Sequence, residues 1–112
     1  MTATQFRRLV LSLPEVTESS HFDHPDFRFR NRIFATLGYP AQGWGMIKLS
    51  REQQNELLRR APEVFRPAAG AWGRSGSTVV LLSGITAAVL QPIVRQAWEN
   101  VAARPVATKR RR

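Results

Sequence analysis

Apolar side chains recur at helical spacing in three stretches of the chain. In the first they fall at positions i, i+3, i+4 and i+7, which predicts an amphipathic helix over residues 3–13. The residues concerned are Phe6, Leu9, Val10 and Leu13. Thr2 and Gln5 have the spacing of a capping box at its start. Pro14 ends it, because the residue before a proline avoids the α region.

Two further helices follow from the same periodicity. Ser50 and Gln53 have the spacing of a second capping box, ahead of an apolar stripe that ends before Pro62. Thr86 is the expected cap of the last helix. Pro92 interrupts the apolar face of that helix, and we expect it to kink the helix or to restart it.

Aromatic and β-branched residues between the first two helices predict a hairpin over residues 26–37. Its two-residue turn is expected at Arg30-Asn31, because Asn tolerates a positive φ. In that register Phe27 faces Phe34, and Phe29 lies on the same face, which points to the core. The opposite face carries Arg28, Ile33 and Ala35. A shift of one residue would exchange the two sets.

Shorter patterns complete the predicted sheet. Residues 44–49 and 77–82 are apolar runs bounded by turn residues, and residues 19–22 are expected to form a short edge strand. Residues 62–67 are expected to add a turn of helix that directs Val64 and Phe65 inward. Because strands and helices show no βαβ alternation, the order indicates an α+β fold with an antiparallel sheet and helices packed on one face.

The stretch from Gly70 to Gly76 places three glycines around Trp72 and Arg74. Glycine permits sharp turns and close backbone approach. We therefore interpret the stretch as a loop that clamps the fold, with Trp72 as a packing anchor at one end of the core rather than a platform for base stacking. The orientation of Arg74, toward solvent or toward an internal partner, decides whether the loop does more.

Length and composition fit a single domain. The chain has 112 residues, of which 43% are hydrophobic, so we expect one domain over residues 1–103 and a disordered basic tail over 104–112. The absence of cysteine excludes disulfides and thiolate chemistry and indicates a reducing, cytoplasmic location. No apolar run has the length of a membrane span, and the first residues lack the pattern of a signal peptide.

The chain is strongly basic. Its net charge is +9, and it is still +5 without Lys109, Arg110, Arg111 and Arg112. Fifteen of the 17 basic residues are Arg, whose planar guanidinium suits bidentate contacts to phosphate. A bias in genomic base composition would also enrich Arg, so the charge alone leaves a polyanionic partner and codon bias as alternatives.

The sequence shows no constellation for catalysis. No serine lies in a nucleophile elbow, and no glycine pattern matches a P-loop or a dinucleotide fingerprint. His21 and His24 lack the glutamate of a zinc-protease motif, so capping, turn or surface roles fit them better than metal binding. We therefore expect no enzymatic activity, no cofactor and no metal.

The predicted hairpin interleaves Phe27 and Phe29 with Arg28, Arg30 and Arg32. One interpretation is a wing that places its arginines on nucleic-acid phosphates. The alternative is an amphipathic strand with Phe inward and Arg solvated, and β alternation is sufficient to explain the Phe residues.

Taken in order, several short pieces of the chain resemble the MmcQ/YjbR-like proteins, a group of small bacterial domains. The pieces are residues 13–18, 21–22, 26–28, 32–37, 47–49, 65–67, 70–76 and 97–98. The resemblance covers about residues 4–103. It implies a compact two-layer sandwich similar to the frataxin-like CyaY topology, and a DNA-binding role described as a double-wing motif. The iron role of frataxin does not carry over, because it needs an acidic surface.

These observations lead to two functional hypotheses. The first is a small DNA-binding module without catalysis that contacts phosphates through Arg28, Arg30, Arg32 and Arg74. The second is a protein-interaction or small-ligand-binding domain whose sheet face and Trp72 loop bind another partner. A monomer without membrane association is expected in either case.

Overall fold

Six strands form one fully antiparallel sheet in the order β1-β2-β3-β4-β6-β5. The computed structural model describes residues 1–21 and 23–103. The strands are β1 Val16–His21, β2 His24–Phe29, β3 Arg32–Leu37, β4 Trp44–Lys48, β5 Phe65–Pro67 and β6 Ser77–Leu81. The helices are α1 Ala3–Leu11, α2 Arg51–Arg60, α3 Gly70–Arg74 and α4 Ala87–Ala102. The predicted α+β fold class is confirmed.

The helix starts follow the predicted caps. Thr2 and Gln5 exchange both capping-box hydrogen bonds ahead of α1, and Ser50 and Gln53 do so ahead of α2. The Thr86 hydroxyl accepts from the N–H of Val89 at the start of α4. These bonds satisfy amides that have no partner within the helix.

Pro92 does not restart the last helix, which runs without interruption through it. The proline removes the hydrogen bond to the carbonyl of Ala88. Ala88 lies in the first turn and is exposed, so water can reach that carbonyl. Apolar residues on both sides of Pro92 are buried in the same core and hold the two halves of α4 in line, namely Leu90, Val94, Ala97 and Val101.

The β2–β3 hairpin has its predicted turn but a different register beyond it. Arg30 and Asn31 both have positive φ, and Phe29 pairs with Arg32 as expected. A bulge between Phe27 and Arg28, with Phe34 as the extra residue on β3, then brings Phe27 opposite Ala35 instead of Phe34. A bulge inserts one extra residue into one strand. As a result Phe34 and Ala35 are both buried in the core, and the prediction that Ala35 lies on the opposite face is wrong.

Two edge segments also differ from expectation. The first strand begins at Val16, earlier than the predicted residue 19, and pairs with β2 through to His21. Residues 65–67 form the edge strand β5 rather than a turn of helix, because Phe65 pairs with Val80. An edge position tolerates Pro67, whose missing N–H would be costly in a central strand. Val64 and Phe65 do point inward, as predicted.

One face of the sheet is sealed by α1, α2 and α4. Their apolar stripes meet the sheet in a single cluster that includes Phe6, Leu57 and Leu90. The edge of the Phe6 ring packs on Phe27, with ring centroids 6.1 Å apart. Trp98 closes the cluster by donating from Nε1 to the carbonyl of Pro14 at 3.0 Å.

The remaining helix, α3, lies against the opposite face, which we call the outer face. It replaces the predicted clamp loop. A Cβ on Gly73 would come within 1.8 Å of the Ala68 carbonyl oxygen, and one on Gly76 within 2.0 Å of the Leu49 oxygen. The glycines therefore allow the backbone of α3 and its exit to press against neighbouring backbone. The buried amide of Gln54 fixes the same region by donating to the carbonyls of Gly73 and Ser77. The predicted tail over residues 104–112 lies outside the described residues.

Candidate functional site

The outer face is the less covered of the two sheet faces. Strand register places one row of side chains across it, consisting of Ser19, Asp26, Thr36, Met46, Val79 and Arg66. Met46 and Val79 form a small apolar cluster with Ala68, flanked by Trp44 and Tyr39. Among outward positions of the described strands, Asp26 supplies the one carboxylate. The face is therefore basic, and the charge that it offers to a ligand depends on which of its cations are paired with an acidic group or a carbonyl of the protein.

Asp26 is the centre of a closed ionic network at the β1–β2 side. Its side chain is fully buried, although it sits on the outer face. Arg28 donates from Nε to Oδ1 at 2.8 Å and from a terminal nitrogen to Oδ2 at 3.2 Å. Nδ1 of His21 lies 2.7 Å from Oδ2. The hydrogen bond from Arg28 is the main reason that the pKa of Asp26 lies below its usual value, against burial, which raises it.

The other two hairpin arginines also have intramolecular partners. Arg30 donates to both carboxylate oxygens of Glu15, at 3.3 and 3.4 Å, and lies over the Phe29 ring, 5.2 Å from its centroid. Arg32 donates to the carbonyl of Val101 near the end of α4 at 3.2 Å. Arg30 therefore contacts the segment before β1, Arg32 contacts α4 and also lines a groove of the outer face, and Arg28 stays on the outer face. The structure does not assemble the three into one solvated patch.

A second group of cations lies at the opposite side of the sheet. Lys48, Arg66 and Arg74 are exposed, and none has a carboxylate partner within residues 1–21 and 23–103. Arg66 lies over the Trp44 ring, 5.3 Å from its centroid. Arg74 ends α3. We call these three residues the α3-side cations.

A groove of about 360 Å³ opens on the outer face between these two groups. The buried residues Thr36, Met46 and Ser77 line it, and α3 contributes Trp72 and Ser75. Trp72 is 58% exposed and belongs to neither apolar cluster. The prediction that it anchors the core is therefore wrong. The reason is that α3 packs through Gly73 and the preceding Ala68, which leaves the Trp72 ring on the outer side.

The histidines occupy the end of the β1–β2 hairpin. His21 and His24 pair across the two strands, and the His24 ring meets Tyr39 edge to face at 6.4 Å. Within the described part of the chain, no group of three or more His, Asp and Glu side chains could hold a metal ion. No described helix is long and apolar enough to cross a membrane.

Sequence reasoning missed three residues of this face. Asp26 was placed at the start of a strand, without the ionic role that its pairing with both His21 and Arg28 gives it. Lys48 and Arg66 are not predicted as site residues from the sequence, because each is a single charge in an apolar segment. The signal that could have found Lys48 is alternation along β4, where it follows Met46 by two residues and therefore shares its face.

A six-stranded antiparallel sheet with one helix-covered face and one basic outer face defines this chain as a small α+β domain. The YjbR family model matches residues 11–100, and the chain belongs to that family. Its fold is similar to the crystal structure of Deinococcus radiodurans protein DR2400, which carries a DUF419 domain. The TM-score is 0.76 and the sequence identity 22%, over 96% of this chain and 83% of that one. No protein of curated function matches the chain in sequence.

Proposed function

We propose that this YjbR-family protein is a DNA-binding module without catalytic activity and that its outer face contacts the phosphates. The observation that carries the proposal is the set of α3-side cations, Lys48, Arg66 and Arg74. They are exposed on or beside one sheet face and have no carboxylate partner among the described residues. Cations without a carboxylate partner are available to displace counterions from a polyanion.

This proposal keeps Arg74 from the sequence-based candidates and gives the hairpin arginines a smaller role. Arg28 and Arg30 would have to release carboxylates before binding phosphate, and Arg32 would have to release the Val101 carbonyl. Exchanging one hydrogen-bonded anion for another yields little net free energy. The α3-side cations pay no such exchange.

The surrounding aromatics also fit a nucleic-acid ligand. Trp72 exposes most of its ring beside the groove, and Trp44 lies under the Arg66 guanidinium. A groove that combines cations with aromatic faces is typical of proteins that bind nucleic acid without sequence readout. Among the described residues, the helix on the outer face is too short to act as a recognition helix, because α3 has five residues.

The test is a salt-dependent titration of the full-length chain with labelled duplex and single-stranded oligonucleotides, from about 50 to 200 mM salt. The outer-face variant carries Lys48→Gln, Arg66→Gln and Arg74→Gln. We expect the slope of log K against log salt to become shallower by about 2–3 units, close to one for each lost phosphate contact.

A matched control removes charge from the helix layer through Arg8→Gln and Arg51→Gln, two exposed arginines that also have no carboxylate partner among the described residues, and is compared with the outer-face pair Arg66→Gln and Arg74→Gln. A second control neutralises Lys109, Arg110, Arg111 and Arg112 in the full chain, which measures the contribution of the tail. Equal loss in the outer-face and helix-layer variants would mean that net charge, and not this face, drives binding. Absence of binding by the unaltered chain at the lowest salt would refute the DNA hypothesis.

A further inference from the structure

The hydroxyl of Thr36 is a buried polar group that has no partner among the described residues. Thr36 is 3% exposed, and its Oγ1 has no hydrogen bond within the described part of the chain. Asp26 pairs with it across β2 and β3, but the Asp26 oxygens are bound by His21 and Arg28. A buried hydroxyl without a hydrogen bond destabilises the folded state. Its position therefore calls for an explanation other than stability.

Thr36 lines the groove, where the missing partner could be supplied by a ligand. Met46 and Ile33 give the groove an apolar lining, and Lys48 places a cation on the same wall. Trp72 contributes a largely exposed ring from the α3 side. The volume of about 360 Å³ lies at the lower end of the range for small-molecule sites.

We propose that the groove holds a single nucleotide unit, with its base against Trp72 and its phosphate at Lys48, and that rotation of the Thr36 side chain brings its buried hydroxyl to a polar atom of the nucleotide. A nucleotide joins the three features that the groove offers separately: a flat π-face, an anion and hydrogen-bonding groups. The proposal deepens the DNA-binding function and rests on it for the source of the nucleotide. The unit could also arrive as a free nucleoside monophosphate, which has the same chemistry.

Occupation of the groove predicts a preference for single strands. A paired base is stacked inside the duplex and reaches such a groove only after unpairing, which costs free energy. Unpaired bases stack on aromatic side chains without that cost. Single-stranded oligonucleotide should therefore bind more tightly than duplex of the same length, and this preference should depend on Trp72.

The experiment measures binding of a single-stranded oligonucleotide and of adenosine 5′-monophosphate to the full-length chain and three variants. Trp72→Ala should weaken binding of the strand about tenfold, while Trp72→Phe should retain most of the affinity because it keeps a stacking ring. Thr36→Val should weaken binding about fivefold, the effect of one lost hydrogen bond. The same variant should raise the Tm by several degrees, about 4 °C, because it removes an unpaired buried hydroxyl.

The combination of a higher Tm with weaker binding separates a ligand contact from a structural imperfection. Thr17→Val is the matched control, because Thr17 is exposed on the edge strand β1 outside the groove; its affinity should equal that of the unaltered chain. If Thr36→Val raises the Tm and leaves both affinities unchanged, the nucleotide site is refuted.

The remaining outcomes distinguish this inference from the proposed function. If Trp72→Ala leaves strand binding unchanged while Lys48→Gln, Arg66→Gln and Arg74→Gln together reduce it, the face binds DNA but the groove holds no nucleotide. If the strand does not bind but the monophosphate does, and Thr36→Val weakens it, the groove is a free-nucleotide site and takes no nucleotide from a strand. Binding of neither probe refutes the nucleotide site, whereas the DNA hypothesis fails only if duplex does not bind either.

Discussion

The cations at one end of the strand order are paired within the protein, and those at the other end have no carboxylate partner in the part of the chain that the structure describes. On the side of β1, β2 and β3, Arg28 and Arg30 are paired with carboxylates, and Arg32 with a backbone carbonyl. On the side of β4, β6 and β5, Lys48, Arg66 and Arg74 have no carboxylate partner among the described residues. The number of basic residues in a segment therefore does not measure its capacity to bind an anion. What counts is which cations the fold has already neutralised.

The difference arises from where the sequence places its acidic residues. Asp26 lies two residues before Arg28, so strand alternation puts both on the same face. Glu15 precedes β1, whose pairing with β2 brings it close to the hairpin turn at Arg30. Of the eight acidic residues, none is placed in β4, β5, β6 or α3. The cations on the side of β4, β6 and β5 are therefore not neutralised by carboxylates of the described residues.

The largest expected effect comes from Gly73→Ala, which would break the α3 side of the comparison. Its Cβ would meet the backbone oxygen of Ala68 at 1.8 Å, and backbone cannot move away as a side-chain end can. We expect a loss of about 3 kcal/mol or more in the free energy of unfolding, measured by urea denaturation. Oligonucleotide binding should weaken with it, because α3 carries Trp72 and Arg74.

Gly70→Ala is the matched control in the same helix. Gly70 has a φ of +68°, but a Cβ there would meet nothing within 4 Å. The cost is then that of placing a non-glycine residue in the left-handed region, about 1 kcal/mol. Equal destabilisation by the two substitutions would show that the close packing of Gly73 on Ala68 is not what holds α3.

The second-largest effect is expected from Asp26→Asn. This substitution removes the carboxylate that pairs with Arg28 and so leaves a cation of the hairpin without its partner. Asn cannot carry the charge that Arg28 and His21 share, and hydrogen bonds to charged groups contribute more than neutral ones. We expect a loss of about 2 kcal/mol in the free energy of unfolding. Because Arg28 is released, the salt slope of DNA binding should steepen by up to about one unit.

Glu18→Gln provides the control for that substitution. Glu18 pairs with Arg7 at 3.0 Å, but both side chains are about one-third exposed. Such pairs contribute about 0.2–1 kcal/mol. A loss from Glu18→Gln as large as that from Asp26→Asn would mean that burial of Asp26 adds nothing to its network.

The Asp26 network also predicts a defined dependence on pH. The pKa of Asp26 in the folded protein is lower than the usual value of an aspartate, chiefly because of the hydrogen bond from Arg28. Its stabilising contribution is therefore complete above the unfolded pKa and is lost as pH falls through the folded one. The difference in unfolding free energy between the unaltered chain and Asp26→Asn should be present at about pH 5 and shrink as the pH falls below about pH 4. A difference that grows below about pH 4 would contradict this assignment.

The helix caps, the hairpin turn and the fold class could be predicted because each depends on residues close in sequence. Thr2 with Gln5 and Ser50 with Gln53 form their bonds within one turn, so spacing alone identifies them. The two-residue turn at Arg30-Asn31 was equally local. The bulge between Phe27 and Arg28 could not be predicted in this way, because the register there is set by the packing of both Phe34 and Ala35 in the core.

The site was harder to predict than the fold for a related reason. Arg28, Arg30 and Arg32 are candidates because they alternate with aromatic residues in the predicted hairpin, yet their partners lie 2 to 69 positions away in the sequence. The exposure of Trp72 depends on contact of Gly73 with Ala68 and of Gln54 with the Gly73 carbonyl. Such tertiary contacts have no signature in the periodicity of the chain. The sequence predicts the residue types of the proposed anion-binding face but does not indicate which arginines belong to it.

The smallest expected effect concerns Arg30 and Glu15, the exposed pair of the hairpin side. Their side chains are 60% and 58% exposed, so solvent screens the interaction. Arg30→Gln should change the free energy of unfolding by less than about 0.5 kcal/mol, including the loss of its stacking on Phe29. Glu15→Gln should be equally mild for stability but should release Arg30 and strengthen oligonucleotide binding slightly at low salt. Arg30→Gln is expected to leave DNA binding almost unchanged, because Glu15 neutralises Arg30. If it instead weakens DNA binding as much as Arg74→Gln does, the exposed ion pair with Glu15 does not keep Arg30 from binding phosphate. The difference in cation pairing between the two sides of the sheet then depends on Asp26 alone.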